Sequence, residues 1–228
     1  MGNLLMRRRE MILSPVGGDD ISGYVKDGLI IFWDGIYNTA NGHDDTSTLW
    51  EDLSGNGHHA TYNSANLIGD KYLQTNSRGL QYVALSDSEK TAYKTGMTEI
   101  VIEPDSISSV SGILTLAGNT SGTSNGSVYL SKSSVCFNAG APNKSVACIV
   151  GRHYYNSELW VDGEVTSNTD KRDSWSNKTN YLASYSNASS YPFSGKIYAL
   201  RAYNRVLTNN EILQNWREDQ RRFGIGGQ

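Results

Sequence analysis

Two glutamates lie four residues apart in Glu99-Ile100-Val101-Ile102-Glu103. In a β-strand alternate residues share a face, so Glu99, Val101 and Glu103 would point one way and Ile100 and Ile102 the other. Two carboxyl groups on one face could serve as nucleophile and general acid in glycosidic-bond cleavage, which in the retaining mode needs them about 5–5.5 Å apart. The residue between them argues against that use. Val101 can neither orient nor tune a carboxylate, and Pro104 follows at once. The plainer expectation is a sheet edge or exposed face, with the two isoleucines turned inward. No catalytic residue is assigned, and glycoside hydrolysis by Glu99 and Glu103 stands as the alternative to a binding role.

The second chemistry available is stacking. The chain of 228 residues carries 14 tyrosines and 5 tryptophans. Sugars bind by laying apolar ring faces on Trp or Tyr while amide and backbone groups hold the hydroxyls. Trp175 sits in the polar stretch Asp173-Ser174-Trp175-Ser176-Asn177, where burial would drag polar neighbours inward at about 1–3 kcal/mol each if unpaired. Tyr154, Tyr155, Tyr185 and Tyr191 flank similar loops. These five are the candidate ligand-binding residues, with Trp175 the leading platform.

Other reactive constellations are missing from the sequence. It has no Gly-x-Ser-x-Gly elbow, no Cys-x-x-Cys, no His-Glu-x-x-His and no phosphate loop. His58 and His59 are adjacent, so in a strand their rings diverge and cannot chelate one ion together. The sequence calls for no cofactor and assigns no metal ligands. If calcium binds, its oxygens would come from Asp34, Asp44, Asp45 and Asp52, which otherwise read as solvated loop acids and Asx turns. Cys136 and Cys148 flank the turn Gly140-Ala141-Pro142-Asn143-Lys144 and would face each other in a tight hairpin register. With no secretory signal legible they are expected as free thiols.

The elements that must position these residues are short strands. The 23 glycines and many Ser, Asn and Thr residues supply turn chemistry. Leu29-Ile30-Ile31-Phe32-Trp33 reads as a buried strand. Further strands are expected at 60–63, 80–85, 97–102, 113–117, 128–130, 134–138, 145–151, 158–161 and 181–185. Asn56-Gly57, Asn125-Gly126 and Asp162-Gly163 mark turns, and Asp162-Gly163 predicts a hairpin from Leu159 to Val165. From Lys196 to Tyr203 the residues alternate, with Tyr198 and Leu200 together on the expected core face. Thr208 and Glu211 form a capping box that starts a helix over about 209–221, docked by Ile212 and Trp216.

Residues 1–24 read as a leader or arm, and 25–228 as one β domain. A net charge of −3, from 20 basic and 23 acidic side chains spread along the chain, excludes nucleic acid as a general partner. No apolar run approaches the ~20 residues of a membrane span. Localisation is not legible.

Two motifs resemble those of laminin-G-like, concanavalin A-like domains. Phe193, Gly195, Ile197, Arg201, Tyr203, Asn204, Arg205 and Leu207 match the family's closing strand, and Thr208, Glu211 and Ile212 match the helix start that follows it. Trp50-Glu51-Asp52-Leu53-Ser54-Gly55-Asn56-Gly57-His58-His59-Ala60 resembles its W-x-D-L-S-G-N-G-x-x-A hairpin. The resemblance implies an all-β antiparallel jelly-roll sandwich (concanavalin A-like) with one C-terminal α-helix. It places the Asp162-Gly163 hairpin on the ligand side; Trp160, mid-strand between Leu159 and Val161, is expected in the core. Glu99 to Glu103 also resembles the E-I-D-I-E signature of a glycoside hydrolase family on that fold, departing at Val101. The basic start Asn3-Leu4-Leu5-Met6-Arg7-Arg8-Arg9 is similar to the starts of gut bacteriophage structural proteins. The implied function is a non-catalytic, carbohydrate-binding module on a virion or cell surface, with a cell-surface polysaccharide as partner. A structural protein–protein module is the remaining reading.

Overall fold

The computed structural model describes residues 20–64, 66–76, 78–93, 96–106, 111–115, 127–131, 134–138, 144–147, 153–155, 160–165, 181–184 and 191–226. Sixteen strands and two helices lie among them: β1 (Leu29–Asp34), β2 (Leu49–Trp50), β3 (Ala60–Thr61), β4 (Asn66–Ile68), β5 (Leu73–Thr75), β6 (Leu80–Tyr82), α1 (Asp87–Tyr93), β7 (Met97–Pro104), β8 (Ser111–Thr115), β9 (Ser127–Ser131), β10 (Ser134–Asn138), β11 (Lys144–Ala147), β12 (His153–Tyr155), β13 (Trp160–Val161), β14 (Glu164–Val165), β15 (Tyr181–Leu182), β16 (Gly195–Tyr203) and α2 (Asn209–Phe223). Every pairing is antiparallel. One sheet runs β12-β7-β16-β5-β4, with β1 also paired to β16. The second runs β11-β10-β9-β8-β15-β6-β3-β2, and β13-β14 is a separate hairpin.

One apolar cluster joins the two sheets. Ile31, Trp33, Ile100, Ile102, Ile197 and Leu200 come from the six-stranded sheet, and Trp50, Ala60, Leu80, Tyr82 and Leu182 from the eight-stranded one. The other face of the six-stranded sheet is covered as well. Val101, Tyr198 and Ala199 pack there with Trp216 and Phe223 of α2. Central strands buried on both faces need apolar residues at both parities. That is why β1 reads as the unbroken run Leu-Ile-Ile-Phe-Trp.

Strand β16 corrects the expected alternation. Its register against β7 shifts between Ile197 and Ala199, a β-bulge. The extra residue puts Tyr198 and Ala199 on the α2 side in succession. Ile197, Leu200 and Ala202 stay on the inter-sheet side. Tyr198 and Leu200 therefore face opposite ways, since a bulge of one residue reverses side-chain parity beyond it.

Helix α2 carries the capping box read from the sequence. Thr208 Oγ1 accepts from the Glu211 backbone N–H, and the Glu211 carboxylate accepts from Thr208 N–H at 2.8 Å. Arg205 clamps the same carboxylate at 2.7 and 3.0 Å. Gly224 closes the helix in the left-handed conformation, φ 70°. Helix α1 adds a second box, in which Ser86 and Glu89 exchange the same bonds. Its Glu89 also meets His58 Nε2 at 3.0 Å.

The Asp162-Gly163 hairpin forms as expected, with both residues at positive φ (52° and 80°). It lies on the helix: a Cβ at Gly163 would stand 2.3 Å from Trp216 Cδ1. Tyr24, assigned to the leader, is itself core and hydrogen-bonds Asp219. Leu200 is buried as anticipated, and so is Trp50. The register of β10 on β11 sets Ser145 opposite Cys136. Cys148 lies outside the described residues.

The capping box generates a direct test. Thr208→Ala should lower the unfolding free energy by about 1 kcal/mol, measured by urea denaturation. An unchanged midpoint and slope would remove the cap from the account of how α2 is held.

Candidate functional site

Glu99 lies in a sealed network. It stands opposite Arg201 across the β7–β16 pair, and its Oε2 accepts from Arg201 Nε at 2.9 Å and Asn215 Nδ2 at 2.7 Å. The rest of the Arg201 fork goes to Asp219 at 2.6 and 2.8 Å. The Tyr24 ring lies 4.4 Å below the guanidinium. Arg222 forks onto Asp34, whose Oδ1 also takes the N–H groups of Ile36 and Tyr37. Glu99, Arg201, Asp219 and Asp34 are all 0 % exposed. Strand β7 is thus no sheet edge, and α2 covers its Glu99 face. Glu103 is partly exposed and is held by Lys196 at 3.0 Å and the Tyr198 hydroxyl at 2.8 Å. With Glu99 shut away from solvent, the two carboxyls cannot flank one substrate.

Three carboxyls share two guanidiniums in this network, so one lacks a cation of its own. Asp219 and Asp34 each take a full fork. Glu99 receives a single Arg201 nitrogen, and its Oε1 has no partner among the described residues. Burial raises the Glu99 carboxyl to about 7 despite Arg201, so at neutral pH it is part-protonated.

Three of the four calcium candidates, Asp34, Asp44 and Asp52, are engaged in other bonds. Asp52 accepts the backbone N–H groups of Phe32, Ser54 and His58 and so folds the Asn56-Gly57 turn. Asp44 accepts from Thr46. Among the described residues no three His, Cys, Asp or Glu side chains are grouped to hold a metal ion.

Among the described residues a concave feature lies on the outer face of the eight-stranded sheet. In β3 and β6, Ala60, Leu80 and Tyr82 point into the core, so residues of the other parity point out. Register then assembles a surface. The His59 carbonyl accepts from Val83 N–H, Thr61 pairs with Gln81, and Asn63 Nδ2 donates to the Gly79 carbonyl at 3.1 Å. Tyr181 of β15 lies beside Gln81. These residues, with Tyr62, Arg78 and Ala84, line a groove of about 700 Å³. At ~3.3 Å per residue, the row from 59 to 63 is about 13 Å long.

The groove is built on close contacts. A Cβ at Gly79 would meet Ser184 at 2.4 Å and the Leu182 carbonyl at 2.6 Å, so glycine lets β6 lie against the segment after β15. Tyr62 stacks on Trp50, ring centroids 6.4 Å apart. Burial pushes its phenol well above the usual range, with a bond to Asn38 opposing. Trp50 is anchored through Nε1 to the Asp34 carbonyl at 2.8 Å, which ties the groove wall to the buried network. His59 Nδ1 accepts from Asp52 N–H at 3.0 Å, which leaves Nε2 as its N–H donor.

Three of the five sequence-predicted binding residues can be placed, and none of the three lines the groove. Trp175 and Tyr185 lie outside the described residues. Tyr154 and Tyr155 occupy β12, paired with Val101 and Ile100 of the other sheet. Tyr191 is 59 % exposed with φ 49°, and it does not line the groove. The groove residues were available from the polar–apolar alternation in His59-Ala60-Thr61-Tyr62-Asn63 and Gly79-Leu80-Gln81-Tyr82-Val83.

No protein-family model and no curated protein matches this chain. Solved structures do. Trypanosoma rangeli sialidase in complex with sialic acid overlays with a TM-score of 0.59 at 14 % identity, over 88 % of this chain and 34 % of that one. The same enzyme in complex with 2,3-difluoro-KDN gives 0.62 at 14 %, over 88 % and 33 %. Ruminococcus gnavus IT-sialidase CBM40 bound to α2,3-sialyllactose overlays at 0.43 and 15 %, over 63 % and 95 %, too loose a likeness to argue from. The chain spans about a third of the trypanosomal enzyme. The likeness is one of fold: antiparallel β-sheets with a C-terminal helix.

The Glu99 carboxyl predicts a pH dependence. Its folded pKa of about 7 lies above the ordinary 4.5. The folded state therefore holds the extra proton between those values, and stability is lost as pH rises through that window. The loss is on the order of 3 kcal/mol. Glu99→Gln mimics the protonated acid. Its stability minus that of the parent, measured by urea unfolding, should increase between pH 4.5 and 8. A flat difference would show that Glu99 titrates normally.

Proposed function

We propose that this protein is a non-catalytic carbohydrate-binding module that holds a glycan in the groove across β3, β6 and β15. The groove itself carries the reading. It sets the aromatic ring of Tyr181, with Tyr62 packed behind it in the wall, beside amides at Asn63 and Gln81 and a hydroxyl at Thr61. Those are the groups that stack a sugar and bind its hydroxyls. Its volume falls within the ~300–1,000 Å³ range of small-ligand sites. Against glycoside hydrolysis by Glu99 and Glu103 stands the burial of Glu99 beneath α2.

In this reading the sheets form the jelly-roll sandwich of laminin-G and concanavalin A type, as the closing-strand and hairpin motifs suggest. The leader mounts the module on a larger particle or cell surface, in keeping with its phage-like start. Trp175, Tyr154, Tyr155, Tyr185 and Tyr191 make up a second aromatic set from loop composition, and Trp175→Ala tests it in the same assay.

A glycan array, run with and without calcium, tests the proposal. Tyr181→Ala should weaken the strongest signals about tenfold with an unchanged melting temperature. No glycan signal for the parent protein sinks the reading. Parent-level binding in Tyr181→Ala with loss in Trp175→Ala moves the site to the loops.

A further inference from the structure

The charge of the groove runs against the charge of the molecule. The chain is acidic overall, at −3. Yet among the described residues no Asp or Glu lines the groove, whereas Arg78 and His59 do. Arg78 is exposed, and among the described residues no carboxylate lies within ion-pairing reach of its guanidinium. Four arginines are spent on structure, Arg201 and Arg222 on buried carboxylates, Arg205 on Glu211 and Asp27, and Arg221 on Glu218, while Arg217 is exposed on α2, away from the groove lining. The Arg78 backbone is held in place, because its carbonyl accepts from Asn66 Nδ2 at 3.2 Å and Gly79 beside it is locked against Ser184. His59 is fixed with an Nε2–H donor, because Asp52 N–H occupies Nδ1.

From this we infer that the groove selects acidic glycans, with Arg78 as the residue that reads the anionic group of a uronic or other carboxylated sugar, or of a sulfated one. The inference rests on the glycan-binding reading and deepens it. A guanidinium meets a carboxylate or sulfate with two parallel N–H donors, a geometry that a neutral hydroxyl cannot return. The absence of lining carboxylates spares the ligand like-charge repulsion, so selection comes from attraction and from missing repulsion together. Tyr181, Gln81 and Thr61 then hold the ring wherever the charge is anchored, and they contribute to neutral and acidic sugars alike.

The test is an array of neutral, carboxylated and sulfated glycans at low and high salt, read for the parent, Arg78→Gln, Arg78→Lys and Tyr181→Ala. The parent should prefer acidic members about tenfold or more over matched neutral ones at low salt, with the preference shrinking as salt rises. Arg78→Gln should abolish the preference at an unchanged melting temperature, Arg78→Lys should retain part of it, and Tyr181→Ala should weaken both classes equally. The carboxylated and sulfated arms identify which anion is read. Equal binding of neutral and acidic members, or a preference that survives Arg78→Gln, overturns the inference while leaving glycan binding intact. Silence across the whole array overturns both.

Discussion

Arg201 sits in the middle of a long central strand with no route to water, and much of the surrounding structure serves to neutralise it. Glu99 stands opposite on β7, Asp219 reaches down from α2, and the Tyr24 ring lies beneath the guanidinium. Removing one partner from such a pair strands a buried charge at about 3–5 kcal/mol. The helix is bound to this spot by its own spacing. Ile212, Asn215, Trp216, Asp219, Arg222 and Phe223 form one buried stripe, and three of the six are polar. An apolar stripe could slide along the sheet. One carrying Asn215, Asp219 and Arg222 satisfies its hydrogen bonds in a single position, since a displaced charge finds no partner.

This arrangement divides the labour between the two sheets. The six-stranded sheet is closed on both sides, by the shared core and by α2. The groove lies on the outer face of the eight-stranded sheet. The two halves are not independent. Asp34 takes the Arg222 fork through its side chain and the Trp50 indole through its carbonyl, and Trp50 supports Tyr62 at the groove wall. The rigidity of the charge network thus extends to the surface that would meet a ligand.

What the sequence made legible was local. The Thr208 box, the Asp162-Gly163 turn and the apolar run of β1 each follow from a few adjacent residues, and each formed. The parity of Tyr198 was misjudged because a bulge is set by the partner strand and leaves no mark on the alternation itself. The seven-residue α1 went unseen although Ser86 and Glu89 carry a capping box, because so short a helix has no apolar period to confirm it. The groove was half legible. Alternation in β3 and β6 marks the outward residues, but only the pairing of strands 20 and 100 residues apart brings Thr61, Gln81 and Tyr181 into one row. Likewise Glu99 and Glu103 looked like a reactive pair because the sequence cannot show that a helix more than a hundred residues later lies on top of one of them.

The bond between Tyr24 and Asp219 spans 195 residues. At roughly 5–20 residues per second of synthesis, its two ends emerge about ten to forty seconds apart. During that interval Leu29-Ile30-Ile31-Phe32-Trp33 has left the ribosome, but β16, the strand it pairs with, has not been made. A flat apolar segment waiting without its neighbour is a template for aggregation. Because β16 is the shared partner of β1, β5 and β7, the six-stranded sheet cannot close until that strand has been synthesised.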